Sequence, residues 1–325
     1  MLRPMIGVVM VAALVAVVIT SLLGGLPDDA ALRASVLDLR FWRAGCAALA
    51  GAALAVAGVL VQGLFRNPLA SPSVLGTSAG AALGGQIVLA AHAALIGILP
   101  AWIAAEAVLP LGCLVGAGLA LAAVLAIAGR TRDGVALLLA GVILATFLAG
   151  FAALITALSQ ESWQIGRALI AFSLGGVDGK GARHLALAAP LVVVGIAIAW
   201  TWSRELDLLL SGSTEAAALG VDVRGATTWI LVWTAVLVGA AVAVAGGVAF
   251  VGLIVPHVVR GLVGHAHGRL IPAAAIVGAG FVVACDLIVR HLPGGDLPLG
   301  VVTALVGAPV FLALLLRLRR EGWLA

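Results

Sequence analysis

The sequence predicts an all-α integral membrane protein of about ten transmembrane helices, forming a single membrane domain over residues 1–325. Three observations predict it. Of 325 residues, 63% are hydrophobic and only 10% are charged, against about 25% charged in a typical soluble domain; the mean hydropathy is +1.24. Apolar runs long enough to cross a hydrocarbon core of about 30 Å follow one another with short polar gaps, which leaves almost no chain for a soluble domain. The 18 Lys and Arg residues are scattered through those gaps with no run or patch. The basic balance therefore reports membrane topology and excludes a nucleic-acid partner.

The first apolar run, 5–23, is longer than a signal-peptide core and no small-residue cleavage site follows it, so it reads as a span. Further spans fall at about 44–65, 74–92, 104–129, 135–158, 184–203, 226–247, 248–262, 270–289 and 297–317. With the N-terminus inside, the inside gaps carry Arg3, Arg66, Arg130, Arg132, Arg204, Arg224, Arg260, Arg269, Arg317, Arg319 and Arg320. The outside receives Arg33, Arg40, Arg43, Arg167, Lys180, Arg183 and Arg290, an eleven-to-seven bias that fits the positive-inside rule and puts both termini in the cytoplasm. Losing the short run 248–262 would flip the C-terminal arginines outward, so it is kept. Cys46, Cys113 and Cys285 lie far apart in apolar runs and read as buried packing residues.

GAALAVAG at 51–58 echoes GAAVAVAG at 239–246, an offset of 188 that also superposes Pro68 on Pro256 and Gly76 on Gly264. The two copies fall on spans that enter from opposite sides, which is the parity of an inverted repeat, an arrangement frequent in transporters. The longest polar interruption is Arg204 to Arg224, RELDLLLSGSTEAAALGVDVR. It reads as a short helix outside the membrane: Ser213 or Thr214 caps it, Glu215 favours its positive end, and Gly220 terminates it. Trp200, Trp202, Trp229 and Trp233 bracket it and suit an interfacial belt.

Two further stretches break the helical pattern with proline at a membrane boundary: QGLFRNPLASPSVLGTSAG at 62–80 and FVGLIVPHVVRGLVG at 250–264. Irregular backbone at that depth is tolerated only where it lines a cavity or is buried in protein. Together with LLLAGV at 137–142, LGVDV at 219–223 and DLPLGVVTALVGAPVFLALLLR at 296–317, these stretches resemble the FecCD-type permeases of binding-protein-dependent ABC importers for iron siderophores, haem and cobalamin. The motifs run in the family's order from the second span to the last.

The resemblance implies a type II ABC importer permease fold of ten helices. It implies a homodimer or a pair with a close relative, two ATP-binding subunits that hold ATP and Mg, and an extracytoplasmic substrate-binding protein. No cofactor would be bound by this chain, and its setting is the cytoplasmic (inner) membrane and its lipid. Segment 204–224 becomes the coupling element seated on an ATP-binding subunit, with Gly212, Ser213, Glu215, Ala216, Leu219 and Gly220 as its contacts. The family's acidic residue directly after the glycine is here Ser213, with Glu215 two places later. Asn67, Pro68 and Leu69 match the cytoplasmic narrowing of the path. Arg40, Arg43 and Arg290 match arginines that face the binding protein's carboxylates, a role suited to a permanently charged, bidentate guanidinium. Pro256 and His257 mark a structural bend.

Other sites are discounted. Gly179, Lys180 and Gly181 lack the first glycine and the Ser or Thr of a P-loop, so this chain is not expected to be an enzyme. His265 and His267 read as a cytoplasmic loop without the carboxylate or thiol that a metal site needs. Asp286 is expected to pair with Arg290 at i+4, and Glu106 to be a solvated helix end. A secondary transporter driven by an ion gradient would need acidic or His relays in mid-span, which this sequence lacks. An iron(III) siderophore is the expected cargo, with haem and cobalamin as alternatives.

Overall fold

The computed structural model describes residues 2–91, 105–129, 134–292 and 297–320. Within them the chain is helical: α1 (Leu2–Leu23), α2 (Ala30–Phe65), α3 (Thr77–Ala90), α4 (Ala105–Ala128), α5 (Gly134–Leu158), α6 (Trp163–Leu174), α7 (Ala182–Thr201), α8 (Ser203–Leu209), α9 (Ser213–Ala218), α10 (Val223–Ala245), α11 (Val251–Val263), α12 (His267–His291) and α13 (Leu299–Arg320). Seven of these, α1, α2, α4, α5, α7, α10 and α12, are long and apolar enough to cross a membrane. Three shorter apolar helices, α3, α11 and Leu299–Ala313 of α13, complete the set of expected runs. The short eighth run is therefore a real element. Arg130, Arg132 and Asp296, and the side chains of Arg3, Arg317, Arg319 and Arg320, lie outside what is described.

Most of α2 and α10 is buried, whereas α1 and α5 turn most of their surface outward. Their sequences explain this, because the Gly- and Ala-rich echo segments let backbones touch. A Cβ on Gly51 would collide with the Gly278 carbonyl of α12, and one on Gly58 with the Gly252 backbone of α11. Gly80 and Gly84 of α3 meet Gly116 and Gly112 of α4 in the same way. Between helices in hydrocarbon there is no hydrophobic driving force, so such close van der Waals contact is what holds them.

The sequence reading needs three corrections. Helix α2 starts at Ala30, fourteen residues before the expected span, because the Asp29 carboxylate accepts from the Leu32 N–H at 2.9 Å and caps it. An amphipathic helix, α6, occupies part of the expected gap between 158 and 184. The third concerns the repeat. Gly58 lies inside α2 while Gly246 lies just past α10, and Pro68 is in a loop while Pro256 is inside α11, so the 188 offset does not match structure to structure.

What recurs is an order of elements: a long helix, a break, a short helix, then two more helices, first as α2 to α5 and again as α10 to α13. The two breaks hold Arg66 (φ 51°) and Phe250 (φ 64°), the non-glycine residues with positive φ among the described residues. The first break packs its Val74–Leu75 turn against α5, where a Cβ on Gly141 would meet the Val74 carbonyl. The second is paired through backbone bonds: Gly247 N–H to Phe172 O at 3.1 Å and Gly176 N–H to Ala245 O at 2.9 Å. The two breaks come close to one another: a Cβ on Gly252, two residues after Phe250, would stand 3.0 Å from Pro72. The second break is also tied to the turn that carries Asp178, on which Arg43 closes.

Gly58→Val is expected to destabilise the detergent-solubilised chain by at least about 2 kcal/mol, read as a lower thermal unfolding midpoint. Gly118→Val, where an added Cβ meets nothing within 4 Å, is expected to leave that midpoint unchanged.

Candidate functional site

Segment 204–224 folds as two short helices, α8 and α9, joined by a turn at 210–212. The expected hydroxyl cap is absent. Gly212, at φ 126°, is the N-cap, and Ser213 and Thr214 lie inside the first turn without a capping bond. The Glu215 carboxylate folds back over Gly212 into the space a Cβ would take, so it still faces the positive end of the helix. Ala216 is fully buried. Gly220, at φ 88°, closes α9 with Gly220 N–H to Ala217 O and Val221 N–H to Ala216 O, both 3.0 Å, the six-to-one and five-to-two pattern of a glycine-terminated helix. Asp222 then caps α10 by accepting from the Gly225 N–H at 3.0 Å.

This construction leaves Leu219 63% exposed. It stands beside a cleft of about 340 Å³ lined by Trp202, Leu208, Val221 and Trp229 among others. The same cleft also carries Arg204, Glu205 and Asp222.

The segment is also tied inward. Asp207 Oδ1 accepts from the His267 backbone N–H at 3.0 Å and lies 2.6 Å from His267 Nδ1. His267 is therefore no loop residue: it is the first residue of α12 and 1% exposed. Its Nε2 is buried without a partner, against Gly63 at the end of α2, where an added Cβ would stand 2.7 Å away. The Trp200 indole donates to Gly268 O at 2.9 Å. No group of three metal-ligating side chains occurs among the described residues.

The two proline motifs meet at the same end. Pro256, inside α11, has no N–H to give to the Gly252 carbonyl four residues back. Gln62 fills that gap with Nε2 bonds to Gly252 O at 3.4 Å and Leu253 O at 3.1 Å, and its Oε1 accepts from Arg260 Nη2 at 3.1 Å. His257 follows, half-buried. Asn67 folds its own turn, its Oδ1 accepting from the Leu69 N–H at 2.9 Å, with Pro68 between them. Arg66, one residue earlier, places Nη1 3.7 Å from where a Cβ would stand on Gly212.

At the opposite end Arg40, Arg43 and Arg290 are brought together, but their guanidinium groups already have internal partners. Asp286, fully buried, receives Arg43 Nε at 2.8 and 3.1 Å, Arg43 Nη2 at 2.7 Å and Arg290 Nε at 3.2 Å. The pairing of Asp286 with Arg290 holds, and Arg43 joins it. Arg43 Nη1 also binds Asp178, whose side chain is 70% exposed. Arg290 Nη1 and Nη2 reach Ser21, and Arg40 Nη1 donates to the Leu22 carbonyl at 3.1 Å and to that of Gly24. Glu106, expected to be merely solvated, pairs with Arg183. Lys180 is drawn in toward Cys46 and Cys113, and burial pulls its pKa below the usual lysine range.

Sequence reasoning missed Asp207, Asp178 and Gln62. Asp207 and His267 are 60 residues apart and Arg43 and Asp286 are 243 apart, so neither pair leaves a periodic signal. Asp286→Ala would strand two largely buried guanidiniums. It is expected to cost about 3–5 kcal/mol, against less than about 1 kcal/mol for the exposed Asp178→Ala, both read from thermal unfolding.

Residues 4–317 match the FecCD transport family. The chain is 38% identical to the cobalamin import system permease BtuC of Halobacterium salinarum over 90% of its own length and 75% of that protein. It is 37% identical to the Fe(3+) dicitrate permease FecD of Escherichia coli over 87% and 86%. A solved structure described as an inward-facing conformation of a metal-chelate type ABC transporter superposes with a TM-score of 0.85 at 28% identity, covering 97% of this chain and 99% of that one. With a family match across almost the whole length and a shared architecture of long, broken and short helices, the chain belongs to the FecCD transport family of ABC importer permeases.

Proposed function

We propose that this multi-pass membrane protein is the translocating subunit of an ATP-driven importer that moves an iron(III)-siderophore-type chelate delivered by a substrate-binding protein. The observation that carries this reading is the exposed Leu219 on a glycine-closed turn, tied through Asp207 to the buried start of α12. A partner ATPase would seat on that turn and on the neighbouring cleft, and would supply ATP, Mg and the hydrolysis itself. The end carrying α8 and α9 then faces the cytoplasm together with both termini, in the cytoplasmic membrane. Two copies of the chain would enclose the path, with Asn67, Pro68 and Leu69 near its inner mouth.

The opposite end would receive the binding protein. Arg40, Arg43 and Arg290 form its cationic rim, and the exposed Asp178 is the one carboxylate of that network within reach of a docking partner. Haem or cobalamin are the alternative cargoes; the relatives' own names span cobalamin and ferric dicitrate.

The test is ATP hydrolysis and uptake in proteoliposomes containing the chain and its candidate ATPase, with and without loaded binding protein. Native complex is expected to respond to the binding protein. Leu219→Arg, which puts a charge where an apolar contact would form, is expected to lose assembly or reduce the response at least tenfold, a loss of about 1.4 kcal/mol of coupling. Uptake that needs an imposed ion gradient and no ATPase would refute the reading.

A further inference from the structure

Lys180 is the sole lysine of the chain. It stands in the turn between α6 and α7, half-buried, and lines a hollow of about 560 Å³ beside the second break. Arg167, exposed on α6, lines the same hollow, as do Leu109, Ile170 and Leu174, which make much of its wall apolar. A lysine is seldom drawn out of water unless it is paired.

Here neither cation has a partner: among the described residues the side chains of Lys180 and Arg167 make no hydrogen bond and no ion pair. The carboxylates on neighbouring elements are matched elsewhere. Asp178, which also lines the hollow, binds Arg43; Asp286 holds Arg43 and Arg290; Glu106 pairs with Arg183. Burial lowers the Lys180 pKa and no carboxylate acts to raise it again, the mark of a desolvated charge without a counter-ion. The ammonium is nevertheless within reach, because Lys180 Nζ is not among the nitrogens sealed off inside the protein. The glycine N–H groups in the wall are spent internally, those of Gly175, Gly176 and Gly246 on the carbonyls of Ala171, Ala245 and Val242. A negative group entering the hollow therefore meets two side chains, an ammonium point charge and a guanidinium fork.

We propose that this hollow is an oxyanion site, in which a phosphate or carboxylate group is held by the Lys180 ammonium and the Arg167 guanidinium. Each like charge relieves its neighbour's cost only when an anion joins them. The apolar wall suits an anion carried on an apolar body, and an acidic lipid headgroup and a free oxyanion share the chemistry that is recognised. The site stands apart from the transport reading, and neither ATPase nor binding protein enters its test.

A single lysine makes that test site-specific. Acylation needs the neutral amine, and a bound oxyanion both covers the amine and holds it as ammonium. The full chain in phosphatidylcholine nanodiscs is treated with N-hydroxysuccinimidyl acetate at fixed pH and ionic strength, and Lys180 and the N-terminal amine are followed by peptide mass spectrometry. Replacing chloride by inorganic phosphate is expected to slow acylation of Lys180 at least threefold and saturably, leaving the N-terminal amine unchanged. Slowing by phosphate in pure phosphatidylcholine identifies a free oxyanion as the occupant; slowing in chloride only once phosphatidylglycerol is present identifies a headgroup, and either result supports the site. Arg167→Gln, a change at an exposed position, is expected to raise the half-protecting anion concentration about tenfold, the worth of one charge-assisted hydrogen bond, and Arg167→Lys to restore most of it. Lys180→Met is expected to lose the rise in thermal midpoint that the protecting anion gives the native chain. A Lys180 amine that does not react in chloride, no protection from either source, equal slowing of both amines, or protection unchanged in Arg167→Gln would overturn the proposal.

Discussion

Hydrocarbon supplies neither hydrogen bonds nor a preference for one apolar surface over another, so helices within it are held by how closely their backbones approach. In this protein that constraint falls on α2. Its glycines at 51 and 58 meet backbone of α12 and α11, and Gly63 meets the imidazole of His267. A side chain at any of the three would push a helix away. Because α2 also packs against α10, its position sets where both breaks fall.

Satisfying the backbone of those breaks then draws in the remaining polar groups. The carbonyl released by Pro256 is met by Gln62, and Gln62 in turn orients Arg260. The residues after α10 are met by the end of α6, and Leu299 at the start of α13 donates to Gly175 O at 2.9 Å. Irregular segments in this molecule are thus fixed by specific partners, and the end of α6 is one of those partners.

The membrane class, the number of apolar runs and the two irregular motifs were legible in the sequence because they are local. Apolar length, proline and glycine each act within one element. The cap of segment 204–224 was misread because Ser213 and Thr214 have the better intrinsic capping chemistry, yet the turn needs a left-handed residue at 212, which only glycine supplies cheaply. Asp207 with His267 and Arg43 with Asp286 join positions that nothing in the linear pattern connects. Arg40, Arg43 and Arg290 are brought together at one end, but the buried Asp286 that holds two of them reads in sequence as a simple helix-end partner.

The residue content of the cleft beside Leu219 has an optical consequence. The chain has no tyrosine and eight tryptophans, so its near-ultraviolet emission is indole emission, and Trp202 and Trp229 line that cleft on either side of segment 204–224. Trp229 is half exposed, and a subunit settling there would strip water from an indole ring. The molecule thus carries an unlabelled spectroscopic reporter at the place where chemical energy would enter it.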